Sequence, residues 1–152
     1  TPEVRIVERG NPMRYRYLRY QYTISAPFDD LNVMSGLLGI RQPMFRLGST
    51  VWRPMTDICE TPRHISIIVE LAGMKAEDID VTLYENALVI EGERSINICG
   101  EDGVYRHAEI RHGPFRLEIA IATNIDPEGV EANYDNGILR ITLPKIVENS
   151  RS

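Results

Sequence analysis

The side chains best equipped for catalysis or metal binding are three histidines (His64, His107, His112), two cysteines (Cys59, Cys99) and adjacent acids at Asp29-Asp30 and Glu101-Asp102. Their spacing assembles no reaction centre. His107 and His112 have no Ser or Cys nucleophile at a recognisable elbow, so nothing takes the general-base role of an imidazole. Cys59 and Cys99 lie far apart with no CxxC and no histidine at ligand spacing, which indicates neither a zinc site nor a disulfide framework and leaves two ordinary reduced thiols. Asp29-Asp30 reads as a helix-start cap and Glu101-Asp102 as a solvated loop. The chain has no GxxxxGK[ST] loop to cradle a phosphate, so nucleotide-driven work is not expected. These residues predict no catalytic role, no cofactor and no metal.

Function must therefore come from surfaces. The chain has 152 residues, 43% hydrophobic and 26% charged, enough to bury one core and carry appendages. No apolar run reaches the ~18–20 residues of a membrane span, and the opening TPEVRIVERGNP lacks the apolar stretch of a signal peptide, so the expected location is cytoplasmic. Residues 1–50 hold seven Arg and no Lys against four acids, whereas the remainder holds ten bases and 18 acids. A basic arm thus precedes an acidic body, which favours arm-to-body attraction within or between chains and disfavours nucleic acid as a partner of the body.

The elements of that body are strands. HISIIVELAG alternates Ile65, Ile67, Val69 and Leu71 with Ser66 and Glu70. In DIDVTLYENALVIEGER, Ile79, Val81 and Leu83 share one face, and Leu88 and Ile90 follow after a tight Glu85-Asn86 turn. VYRHAEIRHG reads as a further strand, and PFRLEIAIA sets Phe115, Leu117, Ile119 and Ile121 against Arg116 and Glu118. In NYDNGILRITLP, Asn136-Gly137 supplies the positive φ angles of a type I′ turn, with Leu139, Ile141 and Leu143 facing inward. GMKAED suits a turn with a little helix, and NIDPEG suits a one-turn link with Asp126 as cap and Pro127 at the first helical position. Many short strands with one apolar face each predict an all-β, immunoglobulin-like β-sandwich.

The order of motifs WRPMTDICET, ISIIVELAGMKAEDIDVTLYENALVIEGER, YRHAEIRHGPFRLEIAI and NGILRITLPK resembles the α-crystallin domain of the small heat-shock proteins. The matching pieces include Trp52, Pro54, Gly73, Glu91-Gly92-Glu93-Arg94, Gly113, Phe115 and Asn136-Gly137-Ile138-Leu139. The resemblance divides the chain into an N-terminal arm at 1–51, flexible or partly helical, an α-crystallin domain at 52–145 and a short C-terminal tail at 146–152. It implies an ATP-independent holdase chaperone that binds unfolding client proteins and self-associates from dimers into oligomers, with ATP-driven chaperones downstream. The alternative is a structural partner or co-chaperone adaptor with little holdase activity.

Site residues follow from the resemblance. The dimer contact is expected at Ile96, Ile98, Tyr105, Arg106, His107 and Arg111, through exchange of the Ser95–Val104 loop. His107 and Leu117 stand where relatives usually carry Arg; His107 reads first as a simple strand residue and second as a weak pH switch at that contact, since imidazole is half charged near pH ~6.5. The groove between the family's fourth and eighth strands is expected to be lined by Val81, Leu83, Leu117 and Ile119. Relatives fill it with an Ile-x-Ile tail; here IVENSRS has none, and Val4 and Ile6, spaced two apart on an extended segment, are the expected docking anchor. Ile96 and Ile98 form a second such pair. The arm's MRYRYLRYQYTI alternates Arg and Tyr and favours extended structure, with ~0.5–2 kcal/mol per Arg–Tyr contact. Single-stranded nucleic acid is a lesser reading of that stretch. Tyr15, Tyr17 and Tyr20, with Phe28, Leu31, Met34, Leu37 and Leu38 on one stripe of a short helix, form the expected client or oligomer surface.

Overall fold

The computed structural model describes residues 3–6, 13–25, 51–96 and 98–147. In chain order the strands are β1 (Glu3–Ile6), β2 (Arg14–Tyr17), β3 (Thr56–Glu60), β4 (His64–Glu70), β5 (Ile79–Leu83), β6 (Ala87–Arg94), β7 (Gly113–Ala120), β8 (Glu131–Asp135) and β9 (Ile138–Pro144). They form two sheets, one ordered β1-β2-β5-β6-β7 and the other β3-β4-β9-β8. Neighbours run antiparallel except β2 and β5, which pair in parallel.

Alternation along each strand decides what goes inside. Ile65, Ile67 and Val69 on β4, Val81 and Leu83 on β5, Phe115, Leu117 and Ile119 on β7, and Leu139, Ile141 and Leu143 on β9 fill the space between the sheets, and none is more than 7% exposed. The β8–β9 turn takes the expected form: Asn136 and Gly137 both have positive φ, 51° and 78°. That pair of left-handed residues gives the tight reversal the sheet twist requires. The NIDPEG link also forms as expected, a short 3-10 turn at Pro127–Gly129 whose first turn is capped by the Asp126 carboxylate accepting from Glu128 N at 3.0 Å.

Trp52 fastens the start of the sandwich to β7. Its N–H donates to Pro114 O and its carbonyl accepts from Arg116 N, both at 3.0 Å. The indole Nε1 donates to Gly113 O at 3.0 Å. Its ring packs 5.3 Å from that of Phe115, with the Arg94 guanidinium 4.4 Å above it.

Two sequence expectations change. VYRHAEIRHG forms no strand: β6 ends at Arg94 and β7 begins at Gly113, and residues 101–112 are all exposed. A strand exists only when a neighbour takes its hydrogen bonds, and among the described residues this segment lies beside none. The core is also wider than the 52–145 domain, because Met13 and Tyr15 belong to it, each 2% exposed.

Gly92 on β6 has no room for a side chain, since an added Cβ would lie 2.5 Å from Phe115 Cζ and 2.6 Å from the Asp78 carbonyl oxygen. Gly92→Ala is expected to destabilise the chain by about 2 kcal/mol, read as a lower midpoint of thermal unfolding; an unchanged midpoint would show that the β5–β6 pairing yields more easily than this packing implies.

Candidate functional site

The two sheets leave a seam at the end of the sandwich where β5 and β8 are the outermost body strands. Two consecutive inward residues of the arm close it. Tyr15 lies opposite Val81 in the β2–β5 pairing and Tyr17 opposite Leu83. Met13 N donates to Ala132 O of β8 at 3.2 Å, so the arm touches both sheets. The Tyr15 hydroxyl donates to Pro127 O at 2.8 Å, which satisfies the one polar atom that the buried ring carries inward. Met13 and Tyr15 sit at i and i+2 of an extended segment and face the same way, while Arg16 faces water.

Beyond β2 the arm continues along the end of β5. Leu18 N donates to Leu83 O at 2.8 Å and Glu85 N to Tyr20 O at 3.1 Å. The Asn86 side chain then pairs with the arm as a strand would: its Oδ1 accepts from Tyr22 N at 2.6 Å and its Nδ2 donates to Tyr22 O at 2.8 Å. Tyr22 packs against Tyr84 with ring centroids 4.7 Å apart and donates its hydroxyl to Glu118 Oε1 on β7 at 2.7 Å. Arg116 in turn donates to the Tyr22 hydroxyl and bridges Glu118 at 3.0 Å and Glu91 at 3.2 Å. Ser25 donates its N–H to Glu118 Oε2 at 2.8 Å and its hydroxyl to Oε1 at 3.0 Å.

The ionisation of this cluster follows from those contacts. Burial alone pushes the Glu118 carboxyl up, but donation from Tyr22, Ser25 and Arg116 outweighs it and holds the group below its ordinary range. Burial pushes the Tyr22 phenol up. The hydrogen bond to Tyr22 raises Arg116, which therefore stays charged. A carboxyl depressed by folding adds stability above its unfolded pKa and loses it as pH falls through the folded value, so the Glu118 contribution is present at neutral pH and is lost in acid.

A second region lies at the opposite end of the sheets. An open hollow of about 850 Å³ is lined by Trp52, Met55, Ile96, Ile110 and Ile138, with Arg94 and Arg111 among its polar groups. Met55 is 76% exposed, Ile110 63%, Val104 82% and Ile98 86%, a set of large apolar side chains that the fold leaves in water. Arg94 anchors the loop by donating to Arg111 O at 2.8 Å and 3.1 Å.

The expected site residues are distributed among these places. Ile96, Ile98, Tyr105, Arg106, His107 and Arg111 all lie on the exposed 95–112 connection beside the hollow, and His107 pairs with Glu109 at 2.9 Å instead of standing in a strand. Val81 and Leu83 line the seam, but Leu117 and Ile119 do not join them. They lie on β7, on the far side of β6, and β8 completes the seam instead. Val4 and Ile6 pair with Arg16 and Arg14 of β2, one strand further out than the edge of β5. Tyr15 is core, not client surface; Tyr17 is half-buried against the core and Tyr20 is 64% exposed. Phe28, Leu31, Met34, Leu37 and Leu38, with their expected helix, lie outside the described residues. Sequence reasoning missed Met13, Asn86 and Glu118. The signal for Met13 was present, since Met13-Arg14-Tyr15 has the same i, i+2 apolar spacing as Val4-Arg5-Ile6. Among the described residues no group of three or more His, Cys, Asp or Glu is arranged to hold a metal ion, and no helix is long and apolar enough to cross a membrane.

Two stacked sheets with this strand order, entered through a tryptophan fastened to β7 and closed by an Asn-Gly hairpin, define an α-crystallin-type β-sandwich. The Hsp20/alpha crystallin family matches residues 57–152, and the chain belongs to that family. Small heat shock protein C2 of Rickettsia felis is 36% identical over 92 residues, 60% of this chain and 60% of its own length. Heat shock protein 16 of Schizosaccharomyces pombe is 39% identical over 95 residues, 61% of this chain and 66% of its own. The match thus spans about two thirds or less of these relatives. Among solved structures, heat shock protein 16.0 from Schizosaccharomyces pombe superposes with a TM-score of 0.56 at 36% identity, covering 66% of this chain and 94% of that one. A small heat-shock protein from Xylella fastidiosa, described as having a distinct high order structure, gives 0.59 at 29% identity over 66% and 93% of the two chains.

Tyr15→Ala is expected to cost ~3 kcal/mol or more, as for other large aromatic truncations in a core, and to raise binding of a hydrophobic dye as the seam opens. Arg16→Ala, one residue on and solvent-facing, should stay within ~0.5 kcal/mol. Equal losses from the two variants would contradict the burial described.

Proposed function

We propose that this chain is an ATP-independent holdase that covers apolar segments of unfolding proteins and keeps them from associating with one another. The observation that supports this most directly is a set of exposed apolar side chains: Met55 and Ile110 line one hollow, and Ile98 and Val104 lie on the same 95–112 connection as Ile110. Side chains of this size left in water in one region mark a surface for a partner. Binding would follow mass action, since holding needs only that the client's sticky segments be occupied more often than they meet each other. The family's chaperone character points the same way, and so do the small heat shock relatives. On this reading the protein is not an enzyme, acts in the cytoplasm and passes clients to ATP-driven chaperones.

The unit of assembly on this reading is a dimer. β3 is the outer strand of its sheet, and its Ile58 is 47% exposed, facing the same side as the buried Ile67 opposite it. An edge strand with an uncovered apolar residue invites pairing from another chain. The 95–112 connection projects beside it and is long enough to reach a partner's β3, where Tyr105, Arg106, His107 and Arg111 would make the contact.

Heating an aggregation-prone client with and without the full chain, in the absence of nucleotide, tests the activity: light scattering should fall with the chain present, and Met55→Ser with Ile110→Ser should restore much of it. No suppression by the unaltered chain would favour the alternative, a structural partner or adaptor with little holdase activity. For the dimer, a chain lacking Asn97–Asp102 should run as a monomer by light scattering; a mutant that stays dimeric would place the interface elsewhere.

A further inference from the structure

The arm is held to the sheet by two kinds of contact that differ in what they demand. At Met13 and Tyr15 the contact is apolar and asks only for two large side chains spaced two apart, plus a strand pairing of three residues with β5. At Tyr22 it is polar and geometrically specific: Asn86 grips both backbone groups of Tyr22, and the hydroxyl reaches Glu118 while Arg116 closes the ring of contacts. Glu118 accepts from Tyr22, Arg116 and both donors of Ser25. Its side chain is only 11% exposed. The outward-facing Val89, cross-strand neighbour of Glu118, is buried to 1% exposure.

We propose that Tyr22, Asn86, Arg116 and Glu118 form a latch that sets how often the strap from Met13 to Ser25 lifts off the edge of β5. A strand of four residues paired along three positions is short for independent stability, so its residence depends on what is attached to its ends. Upstream it is bound by Met13, downstream by the latch. Opening the latch frees the downstream end, and the strap then peels from Leu18 toward Met13, uncovering the backbone groups of β5 and the seam above Val81 and Leu83. This device is independent of the holdase reading, because it concerns only where the chain's own arm resides.

Amide hydrogen exchange on the full chain tests it, with Tyr22→Phe, which keeps the ring on Tyr84, and Glu118→Gln, which keeps the side-chain size. The Met13, Leu18 and Glu85 amides bond across the strap boundary, whereas those of Ile67 and Ile141 lie in the β4–β9 interior. Each variant is expected to speed exchange at Met13, Leu18 and Glu85 by about tenfold, the effect of one or two net hydrogen bonds, and to leave Ile67 and Ile141 unchanged. Unchanged exchange at Leu18 and Met13 would overturn the proposal. So would equal acceleration at Ile67 and Ile141, which would make these residues general supports of the fold.

Discussion

A sandwich of two open sheets has edges that are not closed by its own strand order, and here the constraint falls on two seams. At each, inter-sheet side chains meet solvent and backbone groups lack partners. Both are closed by residues that precede the first sandwich strand β3. At the β5–β8 end, Met13 and Tyr15 enter between the sheets while β2 takes up the hydrogen bonds of β5. At the β7 end, Trp52 docks on Phe115 and bonds to Gly113, Pro114 and Arg116. Burying a side chain the size of Tyr or Met contributes ~1.5–3 kcal/mol, so each closure is a substantial share of a stability that is typically ~5–15 kcal/mol. The arm is therefore part of the fold as well as an appendage to it.

How much of this was legible in the sequence depends on whether the information was local. Alternation is local, and the inward set of β4, β5, β7 and β9 could be read directly from it. The turns were local too: Asn136-Gly137 has the only residue pair in that stretch that accepts two positive φ angles cheaply, and Asp126-Pro127 announces its own cap. Pairing is not local. VYRHAEIRHG has strand-forming residues, but whether they form a strand depends on a neighbour that no property of the segment specifies. The seam shows the same limit. Apolar residues two apart on an extended segment can close a groove, yet Val4-Ile6 and Met13-Tyr15 satisfy that rule equally. What separates them is the continuation through Leu18, Tyr20 and Tyr22 to partners at Leu83, Glu85 and Asn86, which only three-dimensional register can display. Leu117 and Ile119 mark a different limit: they share the inward face with Val81 and Leu83, but sheet order puts β6 between β5 and β7.

Polar side chains on the outer faces proved least legible. Glu118 and Arg116 read simply as the solvent side of an amphipathic strand, and alternation gives no reason to look further. In the fold they hold a tyrosine from a segment more than ninety positions away. Burial acts to raise Glu118, and donors from the arm, Tyr22 and Ser25, together with Arg116 of its own strand, outweigh it. A surface ion pair at that spot would contribute little; the same charges beneath Tyr22, partly withdrawn from water, become specific.

Large apolar side chains in water ordinarily endanger a β protein, and the way they are displayed here bears on how a chain can expose them and remain dispersed. The hazard is greatest when exposed side chains sit on a flat edge strand, because backbone pairing then adds to apolar attraction and can propagate. Ile98, Val104 and Ile110 instead lie on a connection without regular strand geometry, so they offer contact without a template for stacking. β5, one body edge that could template pairing, is covered by β2. The residues beyond position 50 carry 18 acids against ten bases, and a like-charged surface resists close approach of identical copies. Separating apolar display on this connection from backbone templating thus lowers the tendency of identical copies to stack through it.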